Sequence, residues 1–266
     1  MKMHTTARLL QALVALQLAA QVAGAAAGDR MLAEASNIFA RATAVSYRHL
    51  NAAASLQVHG SPQGNWTSSN DCSGFASFMI HSVAPRAYDA VLACEQKSRH
   101  PRAITYAKFF QGLETNRTVT GWQRVAAWRE LRPGDVVAWS SLPRTNSEQQ
   151  VKSAGHVMLV ARPPTGPHEE TVAGKHYRYL SVLVLDSSSV RHFPPETYPP
   201  HAGQTDRNGL GFGVVRLLLD EHDQPCGYWE GTWWGEGHTS IRRPTYTPIL
   251  GFGRLAEEAA PAKPSF

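Results

Sequence analysis

The sequence predicts an α+β domain in which helices come first and an antiparallel sheet follows. Segments with helical patterns are concentrated before residue 131. After residue 134 come short apolar runs, each bounded by Gly, Pro or polar residues, as is typical of consecutive strands. With 42% hydrophobic residues, the chain has enough apolar side chains for one sizeable core. We therefore expect a single domain over residues 28–256.

Helices are expected in the first half because apolar residues recur there at helical spacing. The predicted helical segments are 29–47, 72–83, 104–113 and a shorter one within 122–131. The segment 57–70 is rich in Gly, Ser, Asn and Pro, and it is predicted to be a loop. The helix that begins at Cys72 ends before Pro85, because proline cannot continue a helix.

Five apolar runs in the second half are expected to form strands. The predicted strands are 135–139, 156–161, 179–185, 212–219 and 246–255. The polar residues 165–175 are predicted to form a hairpin loop between the second and third of these strands. Consecutive strands pair antiparallel, so we expect a sheet of about five to six strands with the Cys72 helix packed on it. The Ala- and Pro-rich residues 257–266 are expected to be a flexible tail.

The N-terminus has the features of a secretory signal. Basic residues come first, residues 9–22 are apolar apart from three glutamines, and a run of Ala and Gly follows. This order predicts a signal peptide over residues 1–27, with cleavage after Ala25 or Ala27. The apolar stretch is shorter and more interrupted than the about 20 residues that span a bilayer. We therefore expect an exported protein, periplasmic or secreted, that is not an integral membrane protein.

The net charge of +5 is mildly basic and suits an anionic surrounding such as a cell envelope. Lys and Arg are not interleaved with aromatic residues in a basic run, so we expect no nucleic-acid partner. The three cysteines are Cys72, Cys94 and Cys226, an odd number for an exported chain. A disulfide between Cys94 and Cys226, or free thiols at both, are the two alternatives. The cysteine and histidine spacings match no zinc site, and no metal or cofactor is expected.

The stretch Asn70-Asp71-Cys72-Ser73-Gly74 places a cysteine at the start of a helix. Asp71 is a good N-cap residue, since its carboxylate can accept hydrogen bonds from the first amide groups. The positive end of the helix dipole favours a thiolate over a thiol, which is what a nucleophilic cysteine needs. The alternative interpretation is a small apolar cysteine that packs at a helix start.

A thiolate nucleophile needs a base, and the base needs a third group to orient it. His156 follows Ser153-Ala154-Gly155 and begins an apolar strand, so the core anchors it while its ring can face a cleft. Asp186 ends the third predicted strand. In an antiparallel pair the end of that strand lies beside the start of the His156 strand, so Asp186 is expected to reach the imidazole.

Four stretches in this order resemble the landmarks of the NlpC/P60 cysteine peptidases. They are Asp71-Cys72-Ser73-Gly74-Phe75, Leu131-Arg132-Pro133-Gly134-Asp135-Val136-Val137, Gly155-His156-Val157-Met158-Leu159-Val160 and Val184-Leu185-Asp186-Ser187-Ser188. The resemblance implies a reduced papain-like fold in which helices carry the Cys and a sheet carries the His and a third polar residue. It covers about residues 70–189 and weakens outside them.

The resemblance also implies roles for individual residues. Cys72 matches the nucleophile and His156 the base. Asp186 matches the third polar position, which in the family is most often a His. Asp71 and Ser73 match positions that help to bind substrate. The Tyr that precedes the Cys in many members has no counterpart in Val58-His59-Gly60-Ser61-Pro62.

Three functions follow as hypotheses. The first is an exported hydrolase that cleaves amide bonds of cell-wall stem peptides through an acyl-enzyme on Cys72. The second is a catalytically inactive envelope protein that binds peptide or glycan in the same cleft. The third is a thiol acyltransferase, because an amine can resolve the same acyl-enzyme in place of water.

Overall fold

A computed structural model describes residues 26–49, 58–59, 66–140, 155–189, 208–229, 244–246 and 249–256. Nearly all of the predicted signal peptide and the predicted tail 257–266 lie outside these residues. Within them, no helix is both long enough and apolar enough to cross a membrane.

The described residues form four α-helices and one short 3₁₀-helix. The helices are α1 (Ala27–Arg41), α2 (Cys72–Val83), α3 (Pro85–Leu92) and α4 (Ala103–Gly112), with the 3₁₀-helix at Trp128–Glu130. The predictions for 72–83 and 104–113 are confirmed to within one residue at each end. Helix α3 begins directly at Pro85, where proline's fixed φ suits the first turn of a new helix.

The strands form one small and one large sheet. They are β1 (Ala42–Ser46), β2 (Val58–His59), β3 (Trp66–Ser69), β4 (Thr118–Val119), β5 (Trp122–Arg124), β6 (Val136–Ser140), β7 (Gly155–Val160), β8 (Thr165–Val172), β9 (Lys175–Ser188), β10 (Gly209–Leu219), β11 (Pro225–Trp229), β12 (Pro244–Tyr246) and β13 (Ile249–Leu255). The small sheet has the order β1-β3-β2, with β1 and β3 parallel. The large sheet has the order β12-β11-β10-β9-β7-β6-β13-β5-β4, and β8 pairs with β9.

Both faces of the large sheet are covered by apolar side chains. On one face the helices pack on the strands, and this core includes Phe75, Ile80 and Phe110. On the other face the strands pack against each other across the curve of the sheet. Trp139 on β6 and Tyr228 on β11 stack with ring centroids 4.5 Å apart, although three strands separate β6 from β11. The sheet therefore curls strongly around this second core.

The first helix is shorter than the segment 29–47 predicts. It ends at Arg41, and β1 follows immediately. Thr43 and Val45 are β-branched, and such residues lose side-chain freedom in a helix and favour strands. Thr43 Oγ1 also donates to the carbonyl of Trp66 at 3.3 Å, which ties β1 to β3. The predicted loop 57–70 accordingly contains two short strands, β2 and β3.

The predicted sheet of five to six strands is too small, since the described residues alone give the large sheet ten strands. Residues 165–175 form β8 and the start of β9 rather than a loop, and 122–131 contain β5 and the 3₁₀-helix. Most side chains of β8 are exposed, so this hairpin lacks the alternation of apolar and polar residues that predicts a strand. Short edge strands such as β4, β5 and β12 carry too few residues for any period to show.

Gly134 lies in the turn before β6 and touches the start of α1. Its φ is +85°, and a Cβ there would come within 2.3 Å of the carbonyl group of Gly28. We expect Gly134→Ala to lower the free energy of unfolding by about 2–4 kcal/mol, because left-handed strain and backbone overlap add. Gly174→Ala is the matched control. Its φ is +77° with no atom within 4 Å, so only the strain of about 1 kcal/mol remains. Urea unfolding measures both, and equal losses would contradict this account.

Candidate active site

Cys72 is the first residue of α2, and its side chain is buried. Asp71 caps the helix as predicted: its Oδ1 accepts hydrogen bonds from the amide of Gly74 at 2.7 Å and from Ser73 Oγ at 3.1 Å. The cap fixes the direction of the first turn. The first amide groups of a helix have no hydrogen-bond partner within the helix, so their partial positive charge is exposed at its start. The thiol therefore sits at the positive end of the helix dipole.

The segment before Cys72 is fastened to the end of β9. Ser187 Oγ donates to the carbonyl of Asn70 at 2.7 Å, and both residues are buried. Ser187 directly follows Asp186 in the strand, and Asn70 lies two residues before Cys72. This single hydrogen bond thus couples the position of the Cys72 turn to that of Asp186.

His156 is the second residue of β7 and is buried. The preceding Gly155 permits a close approach, because a Cβ there would lie 2.8 Å from the Trp139 carbonyl oxygen and 2.9 Å from Ala103 Cβ. Ala103 is the first residue of α4, which belongs to the long segment between Cys72 and His156. This segment therefore packs against the strand that carries His156. Trp139 is the cross-strand partner of His156, and the two ring centroids are 5.6 Å apart.

Asp186 reaches His156 as the sequence predicts. Strands β7 and β9 pair antiparallel with Leu159 opposite Leu185. Extending this register places Asp186 opposite Met158, one diagonal step from His156 and on the same face. Asp186 Oδ2 contacts His156 Nε2 directly. The carboxylate is fully buried, and the imidazole is 11% exposed.

The imidazole lies between two anionic groups. Burial by itself lowers the pKa of His156, but the charges of Cys72 and Asp186 and hydrogen bonds to both side chains outweigh it. Together they raise the pKa of His156 to about 10. Because Nε2 contacts Asp186, Nδ1 is the ring nitrogen left for the sulfur. The arrangement favours a protonated imidazole that is held by a buried carboxylate.

Asp71 and Ser73, predicted to bind substrate, stand beside the nucleophile but are engaged within the protein. Ser73 Oγ and Asp71 Oδ1 bond to each other in the helix cap. The other carboxylate oxygen, Asp71 Oδ2, contacts His49 Nδ1 at 3.3 Å. Their substrate-binding role therefore stays a prediction, and any ligand of Asp71 Oδ2 competes with His49.

Tyr47 and Trp139 belong to the site although the sequence did not suggest them. Burial raises the pKa of the Tyr47 phenol, and the charge of Cys72 raises this pKa further. Tyr47 comes close to Cys72 because β1 pairs with β3, and β3 leads directly into the Cys72 turn. Recognising residues 42–46 as a strand that pairs with β3 would have placed Tyr47 near Cys72. Trp139 could have been found from its place opposite His156 in two adjacent predicted strands.

All three cysteines are free thiols: Cys94 is exposed and Cys226 half-buried. Of the two alternatives for Cys94 and Cys226, the structure therefore has the one without a disulfide. Cys72 is not bridged either, so its sulfur is available to His156. Within the described residues, no group of three or more His, Cys, Asp or Glu side chains could hold a metal ion.

We expect His156 to titrate at about pH 10 in the folded protein, against about 6.5 for an ordinary histidine. A raised pKa means that folding favours the protonated ring. The resulting stabilisation is complete below about pH 6.5 and is lost as the pH rises through the folded value near 10.

Nuclear magnetic resonance of the imidazole carbons measures the titration directly. Cys72→Ala should lower the titration midpoint, and Cys94→Ala should leave it unchanged. A wild-type midpoint near 6.5 would contradict the ion pair.

Comparison with known proteins gives no match. No protein-family model fits the chain, and neither a curated protein nor a solved structure is significantly similar to it.

Proposed function

We propose that this chain is a cysteine hydrolase of the NlpC/P60 type, with a papain-like arrangement of helix and sheet. The observation that carries the proposal is the buried imidazole of His156, in contact with Asp186 and hydrogen-bonded to Cys72. A helix-start thiol, an imidazole and an orienting carboxylate are the groups that acyl transfer requires. The α+β fold with its antiparallel sheet is compatible with this class.

The reaction is amide hydrolysis through an acyl-enzyme. The Cys72 thiolate attacks the carbonyl carbon, and the electron pair of the C=O bond moves to oxygen. His156 then gives its proton to the leaving amine as the C–N bond breaks. In the second half His156 takes a proton from water, and the hydroxide formed attacks the thioester and releases Cys72. Asp186 keeps the ring oriented and stabilises its positive charge throughout.

The oxyanion that forms in each half needs hydrogen-bond donors near the sulfur. The amide of Cys72 is the first in α2, at a position where helix amides lack partners within the helix. It is the natural donor, and the helix dipole adds to its effect. The cap formed by Asp71 keeps this turn rigid, so the donor is in place before substrate binds.

The proposed substrate is a peptide of the bacterial cell wall. The N-terminal signal pattern supports export to the envelope, and the net charge of +5 favours an anionic polymer. The resemblance to the NlpC/P60 peptidases points to amide bonds of stem peptides. A substrate that binds at Asp71 must accommodate the contact between Asp71 and His49.

The test is digestion of purified peptidoglycan by the full chain, with Cys72→Ala as the control. Release of stem-peptide fragments by wild type alone supports the proposal, and mass spectrometry of the fragments identifies the bond. Substrate binding without release points instead to an inactive binding protein. Product ligated to an added amine in place of free acid identifies an acyltransferase.

A further inference from the structure

The last residues of β9 send successive side chains to the two halves of the candidate site. Side chains alternate between the faces of a strand, so Asp186 and Ser187 point in opposite directions. Asp186 Oδ2 contacts His156 Nε2. Ser187 Oγ donates to the carbonyl of Asn70, two residues before Cys72, at 2.7 Å. One short stretch of backbone therefore holds both the imidazole and the turn that carries the thiol.

The packing of the preceding residues of β9 agrees with this alternation. Val184 lies on the same face as Asp186 and belongs to the second core. Leu185 lies on the same face as Ser187 and belongs to the core under the helices, together with Phe75 of α2. Ser187 thus faces the layer in which α2 begins, and Asp186 faces the other layer.

The end of β9 is a rigid reference for both contacts. Residues 182–188 are all buried, and their backbone pairs with β10 as far as Ser188, opposite Gly209. Ser187 and Asn70 are each 0% exposed. Water therefore does not compete for the Ser187 hydrogen bond, and losing a buried bond of this kind leaves the position of the turn less restricted.

The same carbonyl of Asn70 also holds the segment that follows β1. The amide of Arg48 donates to it at 3.4 Å, which is longer than an ordinary N–H···O hydrogen bond. The Ser187 hydroxyl, at 2.7 Å, is therefore the closer of these two donors. Three segments thus meet at one oxygen atom: the residues after β1, the turn before α2 and the end of β9.

The first turn of α2 is fastened in two directions. Asp71 Oδ1 accepts from the amide of Gly74, which ties the turn to the helix itself. Ser187 ties the turn to the strand that holds the partner of the imidazole. Acyl transfer needs the thiol and the base at a defined separation, and a misplacement of about 1 Å can cost a large part of the rate.

We propose that Ser187 is a positioning residue that sets the distance between the Cys72 sulfur and the His156 imidazole. Its hydroxyl holds the turn before Cys72 at the same strand end from which Asp186 holds His156. Ser187 exchanges no proton in the proposed mechanism and acts through the Asn70 carbonyl. This inference rests on the proposed function, since it assigns a further residue to the same Cys72 site.

The titration of His156, followed by nuclear magnetic resonance of its imidazole carbons, reports this distance without any substrate. Burial lowers the pKa of His156, and the charge of Cys72 is the first of the interactions that raise it. A turn that moves away from the strand carries this charge farther from the ring. We expect Ser187→Ala to lower the titration midpoint by about 0.5 to 1 pH unit.

The same substitution in a Cys72→Ala background should leave the midpoint of His156 unchanged, because the charge whose distance it alters is gone. An unchanged midpoint in Ser187→Ala alone overturns the proposal. An equal fall in both backgrounds also overturns it, since Ser187 would then act on the neighbouring Asp186. Ser187→Cys keeps the side-chain size with a weak donor and should lower the midpoint in the same direction. It decides the question if the alanine variant does not fold.

Ser77→Ala is the matched control. Ser77 also lies on α2, and its buried hydroxyl hydrogen-bonds to Tyr106 OH of α4 at 3.0 Å. Both alanine variants lose a buried serine hydrogen bond, so both should lower the urea midpoint of unfolding. Only Ser187→Ala should lower the His156 midpoint and reduce kcat, by about 10-fold with little change in KM. Equal effects of both variants on His156 would mean a general loosening of α2 and overturn the proposal.

The two measurements separate this inference from the proposed function. A His156 titration that depends on Ser187, without hydrolysis by the wild-type protein, supports the positioning role and contradicts the hydrolase. Hydrolysis by the wild type, with a midpoint and a kcat that Ser187→Ala leaves unchanged, supports the hydrolase and overturns the positioning role.

Discussion

Replacing Cys72 by alanine is expected to lower the rate of amide hydrolysis by about 10⁴-fold or more, because no acyl-enzyme can form. The free energy of unfolding at neutral pH should also fall, because part of the stabilisation linked to the raised pKa of His156 is lost with the Cys72 charge. Loss of the thiolate also removes the charge that raises the pKa of His156. The measurement is kcat/KM on the peptide fragment identified by peptidoglycan digestion, together with urea unfolding.

Cys94→Ala is the matched control for this substitution. Cys94 follows α3, is exposed, and its Sγ lies 3.7 Å from the carbonyl oxygen of Ala90. It should retain wild-type kcat/KM and a wild-type pH profile. Equal activity in Cys72→Ala and wild type would rule out Cys72 as the nucleophile. Equal losses in both cysteine variants would point to a general effect of thiol removal.

The sequence carries strong information about the three central residues because each stands at the end of an element. Asp71 before an apolar run marks a helix start, so Cys72 could be placed at its tip. His156 and Asp186 stand at the ends of two apolar strands, and antiparallel pairing brings such ends together. These are local patterns combined with one rule of sheet pairing, and the contact between His156 and Asp186 follows from them.

Tyr47 shows why the rest of the site was harder to predict. Its position depends on the parallel pairing of β1 with β3, two short strands separated by a long stretch of chain. Parallel pairing between distant segments leaves no period or spacing in the sequence. The same applies to Tyr228, which stacks on Trp139 only because the sheet curls. Nonlocal contacts of this kind depend on the whole fold rather than on any one stretch.

The errors in the fold have a similar origin. Residues 42–46 continue the apolar pattern of α1, but they pair with β3 and form a strand. Strand β8 is polar and exposed, and its pairing with β9 provides the regularity that its side chains do not show. Tertiary pairing therefore overrides the hydrophobic pattern at both sites, and at residues 42–46 it agrees with the strand preference of Thr43 and Val45. The helices at Cys72 and Ala103, each rich in buried apolar residues and with a clear end, needed no such context.

Replacing Asp186 by asparagine is expected to lower kcat by about 10²- to 10⁴-fold, while KM changes little. Asparagine keeps the shape but loses the charge that helps to raise the pKa of His156. The imidazolium is therefore less stable, and its ring is no longer restricted to one orientation. The alkaline limb of the kcat/KM profile, expected at about pH 10 in wild type, should move to lower pH. The measurement is the full pH profile of both proteins.

Asp135→Asn provides the control, because Asp135 is also a buried carboxylate beside a strand. Arg254 donates to its two oxygens, from Nε and from a terminal guanidinium nitrogen, both at 2.8 Å. Losing this charged pair should lower the free energy of unfolding by about 1.5–3 kcal/mol. The kcat of the folded fraction should remain that of wild type, since Asp135 binds Arg254 and its backbone pairs with Val160, four residues along β7 from His156. Should Asp186→Asn instead lose only stability and keep its pH profile, Asp186 would be a structural carboxylate like Asp135, and His156 would work without an orienting partner.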